Sequence, residues 1–377
     1  AILKKLPSTL RSLKPMLQPH SSFTIAACVA VVHSLAALAF AWCSFSVLQV
    51  TLCLPFVVLA AAVAARILRG NPPTMGGTRV GLQKKQLFHQ AMEALQGSPD
   101  AAQYALVAMP INHFGERIRW ALDLIGAPYE EITVAGLLSV FLRGRSVPYL
   151  IDRKSNSMIG NSDECLAYLS AVYVPTITDL ELRKKVASFL ENTEQTVSWN
   201  EKLNRLGHLV QGWVYFYVLS PETTSTGCLT AWGGFEPKVP LVQRIILRLG
   251  CPIFKHLMRT HFDLANPEVQ DTRRQMIEAI LDEIDNTLSK QEYLTGTSLS
   301  HVDITLCALI APMLPGHLVW APKSRYANGR FASFDGALEN MRDEWPRTLV
   351  EFEQVLSKRP CGKHAMKLYE ELRSKQL

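Results

Sequence analysis

Tyr104-Ala105-Leu106-Val107-Ala108-Met109-Pro110-Ile111-Asn112-His113-Phe114-Gly115-Glu116-Arg117-Ile118-Arg119-Trp120-Ala121-Leu122-Asp123-Leu124-Ile125-Gly126 is the stretch on which the fold turns. Its first six residues form an apolar run stopped by Pro110, the pattern of a buried strand. From Phe114 the apolar positions return at Ile118, Ala121, Leu122 and Ile125, which is one face of a helix, and Gly126 supplies the stop. A strand that passes straight into an amphipathic helix opens a βαβ unit.

On the C-terminal side, residues 129–134 alternate like a half-buried strand. Val147-Pro148-Tyr149-Leu150-Ile151 and Ser157-Met158-Ile159 form a short hairpin, and a helix follows over about 162–172. The order is βαβ and then ββα, an α/β domain over 104–174. Past Pro175 the strands stop, and long helical periodicities cover about 178–218, 238–260, 267–289, 301–314 and 346–374. An all-helical domain, 175–377, is therefore expected after the α/β one. Residues 222–240, with Trp232-Gly233-Gly234-Phe235 and three nearby prolines, read as a long irregular insertion, a kind of segment that is usually functional.

On the N-terminal side the character changes. Residues 70–103 hold Gly70-Asn71-Pro72-Pro73, Gly76-Gly77 and Gly97-Ser98-Pro99-Asp100 around a mildly amphipathic stretch, a linker enclosing one short helix. Before it, residues 23–65 run 43 positions without a charged side chain. As a helix this run would extend roughly 65 Å, about twice the hydrocarbon core of a bilayer. Two spans, 23–42 and 47–65, fit, with Cys43-Ser44-Phe45-Ser46 as the break. Basic residues flank both ends, so both ends should face the same side of the membrane. Residues 1–69 are thus expected to be a basic arm and a two-helix transmembrane anchor, in place of a cleavable signal or a buried soluble hairpin.

The net charge of +6 hides an asymmetry. Nine of the 39 Lys and Arg precede Glu93, the first acid, which leaves 30 against 33 acids in the rest. A nucleic-acid footprint would need basic clusters on the folded part, so nucleic acid is not an expected partner, whereas the acid-free N-terminus suits a lipid bilayer. The eight cysteines show no CxxC and no pairing rhythm, so neither zinc nor any other metal is expected. The leading stretch, basic, Ser-bearing and acid-free from Ala1, resembles the remnant of an organelle-targeting presequence and favours a mitochondrial or plastid membrane.

Residues 110–123, with Gly126-Ala127-Pro128-Tyr129-Glu130-Glu131 after them, resemble the first strand-to-helix turn of the soluble glutathione transferases that carry Ser or Cys at the catalytic position. Arg145-Ser146-Val147-Pro148-Tyr149-Leu150 resembles that family's Val-Pro turn, and Asn161-Ser162 its third helix start. Ser300 with Asp303 three positions on has the spacing of a helix cap, a folding device; Ser300-His301-Val302-Asp303-Ile304 is similar to the family's interior helix start, and Arg359-Pro360-Cys361-Gly362 to the motif before its last helix. The resemblance implies a thioredoxin-like N-terminal domain, a cis bond before Pro148, and glutathione as co-substrate. Asn161 and Ser162 would hold the γ-glutamyl end, with Val147 pairing to the cysteinyl backbone. Relatives often have Glu or Gln where this chain has Asn161, one methylene shorter.

The catalytic position falls on Asn112, where relatives carry Ser or Cys. An amide NH₂ can donate to a thiolate but cannot form a mixed disulfide, so Cys-type reductase chemistry is excluded. His113, beside an apolar helix start, reads as structural, and one of Arg117 and Arg119 is expected to pair with Glu116 or Asp123. The aromatic run 213–217 reads as core before it reads as a substrate wall. Two functions are expected: a membrane-anchored, glutathione-binding protein with weak or absent conjugation of apolar electrophiles, or a non-catalytic accessory subunit of an organellar membrane complex. The family's homodimer is a further expectation.

Overall fold

The computed structural model describes residues 102–109, 112–136, 138, 147–220, 225–314, 347–373 and 375–377, all within one compact unit. The expected basic arm, transmembrane hairpin and nearly all of the linker lie outside these residues. Among the described residues no helix is long and apolar enough to cross a membrane.

The run at 104 is a strand, β1 (Tyr104–Ala108), buried along its whole length at the centre of a four-stranded sheet. It lies parallel to β2 (Tyr129–Thr133) and antiparallel to β3 (Tyr149–Asp152), which pairs antiparallel with β4 (Ser157–Gly160). The spatial order β2-β1-β3-β4, with helix α1 (His113–Leu124) crossing from β1 to β2, is the thioredoxin-like arrangement expected. Helix α2 (Ser162–Tyr168) then widens into a π turn at Leu169–Tyr173 and tightens at Val174–Thr176, where Pro175 has no amide to continue an α ladder.

The remaining described elements are helices: α3 (Leu180–Phe189), α4 (Glu194–Val218), α5 (Ser225–Trp232), α6 (Leu241–His261), α7 (Pro267–Leu288), α8 (His301–Ile310), α9 (Arg347–Leu356) and α10 (Pro360–Leu372). Two expected helices are each split. Between α3 and α4, Thr193 and Thr196 form a reciprocal cap that starts a new helix, and Pro360 at the first position of α10 separates it from α9. The supposed irregular insertion contains α5.

One hydrophobic cluster runs through sheet and helices together, from Leu106, Ile118 and Trp120 to Leu203, Val210, Ile304, Leu309 and Tyr369. A smaller one, around Val107, Tyr149 and Ile151, covers the other sheet face. Helix α8 is buried at every residue, and Asp303 in its first turn accepts from the Leu294 and Ser300 amides at 2.8 and 3.0 Å. This is the folding device that the Ser300/Asp303 spacing predicts.

Candidate functional site

Helix α1 places the candidate residues. All of it except Phe114 is buried, including Glu116, Arg117, Arg119 and Asp123. A helix enclosed on every side is ordinarily apolar, so each of these charges needs an internal answer. Arg119 has one: it donates to Glu116 at 2.6 Å and to Glu131 at 2.8 and 2.9 Å. Arg373, beyond α10, reaches back to Glu116 and Asp123, both at 2.6 Å. Burial pushes the Glu116 carboxyl up, but the two guanidiniums outweigh it and hold the group below the usual carboxylate range.

Arg117 differs. Of the three arginines buried among the described residues, it is the one whose hydrogen-bond acceptors are all neutral: Ser162 Oγ at 3.2 Å, Asn204 Oδ1 at 2.9 Å and Asn200 Oδ1 at 2.8 Å. Its Nε has no acceptor. Burial pushes the guanidinium down to about 10, with Asp163 opposing the shift only in part. It stays cationic at neutral pH with an unmet demand for negative charge.

At the head of α1 stands Asn112, 5% exposed. Its Oδ1 caps the helix by accepting from the Gly115 amide at 2.8 Å, which turns the NH₂ toward the Val147 carbonyl at 3.4 Å. The Val147–Pro148 bond is cis. Asn112, Val147 and Pro148 therefore gather where β3 begins, and Ser162 joins Arg117 about a turn and a half, roughly 7 Å, further along α1. That separation is about two extended residues. Asn161 stands beside Ser162 at the head of α2. It is exposed, at φ 55°, with its Nδ2 donating to Glu164 at 3.2 Å.

His113 is held away from chemistry. Its Nε2 bonds the Gly207 carbonyl at 3.0 Å, which can only accept, so Nε2 carries the proton. Burial drops the ring to about 4, so it is neutral at physiological pH and serves to fix α1 against α4. Trp213 meets Tyr217 edge to face and packs at a tilt against Phe352, and Tyr215 accepts from Trp232 Nε1 at 3.4 Å; both belong to the interior, as the helical spacing suggests. Among the described residues no cluster of His, Cys, Asp or Glu is arranged to hold a metal.

In the sequence Arg117 does not stand out as a site residue, nor do Asn200 and Asn204. The one available signal was the i, i+4 pairing of two Asn on a single face of a long helix, and it is weak. In chemical terms the arrangement holds a hydroxyl at Ser162 backed by the Arg117 guanidinium, a peptide edge at Val147, and an amide donor at Asn112.

No family model and no curated protein matches the sequence. Among solved structures the chain is similar to Ure2p5 of Phanerochaete chrysosporium, crystallised with 1-(S-glutathionyl)-2,4-dinitrobenzene, at 17% identity over 72% of this chain and 96% of that one, TM-score 0.31. It is similar to the β-etherase LigF of Sphingobium at 16% identity, over 70% of this chain and 99% of that one, TM-score 0.37. A glutathione transferase family member from Pseudomonas fluorescens, with two glutathione bound, is 14% identical over 73% of this chain and 97% of that one, TM-score 0.36. What defines the class of this chain is its own topology: a thioredoxin-like layer joined to a helical companion.

Proposed function

We propose that the chain binds glutathione along α1, the γ-glutamyl carboxylate on Arg117 and Ser162, the cysteinyl backbone on Val147, and the sulfur beside Asn112. The observation that carries this is the wholly buried Arg117, bonded to neutral acceptors and donating to Ser162 Oγ. A carboxylate there would supply the charge the guanidinium lacks. Conjugation is weak. The thiol proton leaves to water, the thiolate sulfur adds to the electrophilic carbon of an activated alkene as the C=C π pair shifts onto the neighbouring carbon and takes a proton back from water, and Asn112 favours the thiolate through one amide N–H. The uncharged run at 23–65 would hold this site at a mitochondrial or plastid membrane, where apolar electrophiles collect.

A second reading, the non-catalytic accessory subunit of a membrane complex, is favoured by Asn112 itself, whose oxygen is committed to capping α1. Calorimetric titration of glutathione into the full chain in mild detergent, beside Ser162→Ala, tests the first reading. Binding that weakens in the variant supports it. No heat and no thermal stabilisation at millimolar glutathione sinks it and sends attention to what co-purifies.

A further inference from the structure

Nine large apolar residues are well exposed among the described residues, and six of them fall in one short stretch: Phe235, Leu241, Val242, Ile245, Leu249 and Ile253. Single exposed apolar side chains are ordinary, but a contiguous row is not. Leu241, Ile245, Leu249 and Ile253 recur every fourth position, one ridge along the outside of α6 about 18 Å long. The opposite face is committed to the interior through Leu247, Gly250, Cys251 and Phe254. This helix therefore has two apolar faces, and the fold uses one.

Charge distinguishes the possible occupants. From residue 237 to 262 there is no acid, while Lys238, Arg244, Arg248, Lys255 and Arg259 supply five cations. Arg248 lies over the Phe235 ring at 5.0 Å and donates to the Gly234 carbonyl, and Arg259 donates to the Leu219 carbonyl at 2.7 Å. The acids that bracket this stretch in sequence stand off the outward row: Glu236 is buried and accepts from the Lys238 amide, and Asp263 follows the helix end. A second copy seated on this ridge by two-fold symmetry would oppose cations to cations. The chain's own first 92 residues carry nine cations and no acid, and would be repelled in the same way.

We propose that α6 is an interfacial helix that lies on an anionic lipid surface, its outer ridge in the headgroup boundary and the exposed Lys238 and Arg248 among the phosphates. This is independent of the glutathione site. The test is footprinting of exposed side chains by mass spectrometry on the full chain, reconstituted either in phosphatidylcholine or in an equimolar mixture with phosphatidylserine. The readout is local to α6, so membrane attachment elsewhere in the chain does not affect it. In the anionic vesicles, labelling of Leu241, Ile245, Leu249 and Ile253 should fall severalfold and recover as salt is raised past the screening range. In the double variant Leu249→Ser/Ile253→Ser, whose changes face outward, protection of Leu241 and Ile245 should need roughly tenfold more anionic lipid. Equal labelling in the two reconstitutions overturns the proposal, as does protection unaltered by the double variant. Protection that grows with protein concentration before lipid is added overturns it in favour of a second copy.

Discussion

At Arg117, a shift from the usual 12.5 to about 10 corresponds to a burden on the folded state of about 3 kcal/mol. The Arg117→Met variant removes that burden, and its former acceptors Asn200 and Asn204 are half-exposed and can turn to water. Urea denaturation of the variant should show stability held or raised by up to about 2 kcal/mol, with glutathione binding lost. A variant that is destabilised yet still binds glutathione would refute the role given to this residue. Asn112→Ser should keep the helix cap within about 0.5 kcal/mol and raise the conjugation rate on the order of tenfold, read in a standard electrophile assay. No gain would mean that the sulfur does not sit beside residue 112. The sequence shows where both residues stand but not what they face. Asn112 is conspicuous through the motif around it, whereas Arg117 looks like its neighbour Arg119 until the fold gives one of them two carboxylates and the other none.

Among the elements, α1 and α8 share a design, each wholly or nearly enclosed and each beginning at a buried histidine. Burial holds His113 at about 4 and, with the charge of Arg117, His301 at about 4, against 6.5 in an unfolded chain. The sign follows from proton uptake: between these values the unfolded chain binds protons that the folded chain refuses. Stability is therefore complete above about pH 6.5 and falls as pH drops toward 4, by about 3 kcal/mol for each ring. Urea midpoints measured at pH 7 and pH 5 should differ accordingly, and His113→Gln should lose about half the difference. A flat profile would mean that the rings are not closed off from solvent. Below about pH 4.5 the depressed carboxyl of Glu116 adds to the loss. Apolar periodicity made these helices legible, and the Ser300/Asp303 spacing fixed the start of α8. Periodicity could not reveal that α1 is covered on its charged side too, because the covering chain, around Arg373, comes from the far end of the sequence. Periodicity passes over the breaks inside 178–218 and 346–374 for a local reason, since a Thr-x-x-Thr cap and a first-turn proline barely disturb the apolar spacing, and only the Arg359–Gly362 motif marks the second.

For the whole molecule, the order of an α/β part followed by helices was plain in the sequence, since the change from period two to period 3.6 is abrupt near 175. A single core shared by both parts was not, because long-range packing leaves no local signature. The shared core and the buried ion cluster make α1 dependent on the helical part. Arg373→Met would take one guanidinium away from both Glu116 and Asp123, which bond it at 2.6 Å. That change should cost about 3–5 kcal/mol by calorimetry, and an unchanged melting temperature would show that the cluster does not hold the parts together.

The reach of Arg373 also bears on how the protein is made. It lies 257 residues after Glu116, so a ribosome adding about 5–20 residues per second needs on the order of 10 to 50 s to deliver it. During that interval the sheet and α1 lack the guanidinium that Glu116 and Asp123 both bond in the finished fold, and cotranslational folding of the first half should slow until the second emerges. Newly made chains would for that time present an unfinished thioredoxin-like layer to chaperones.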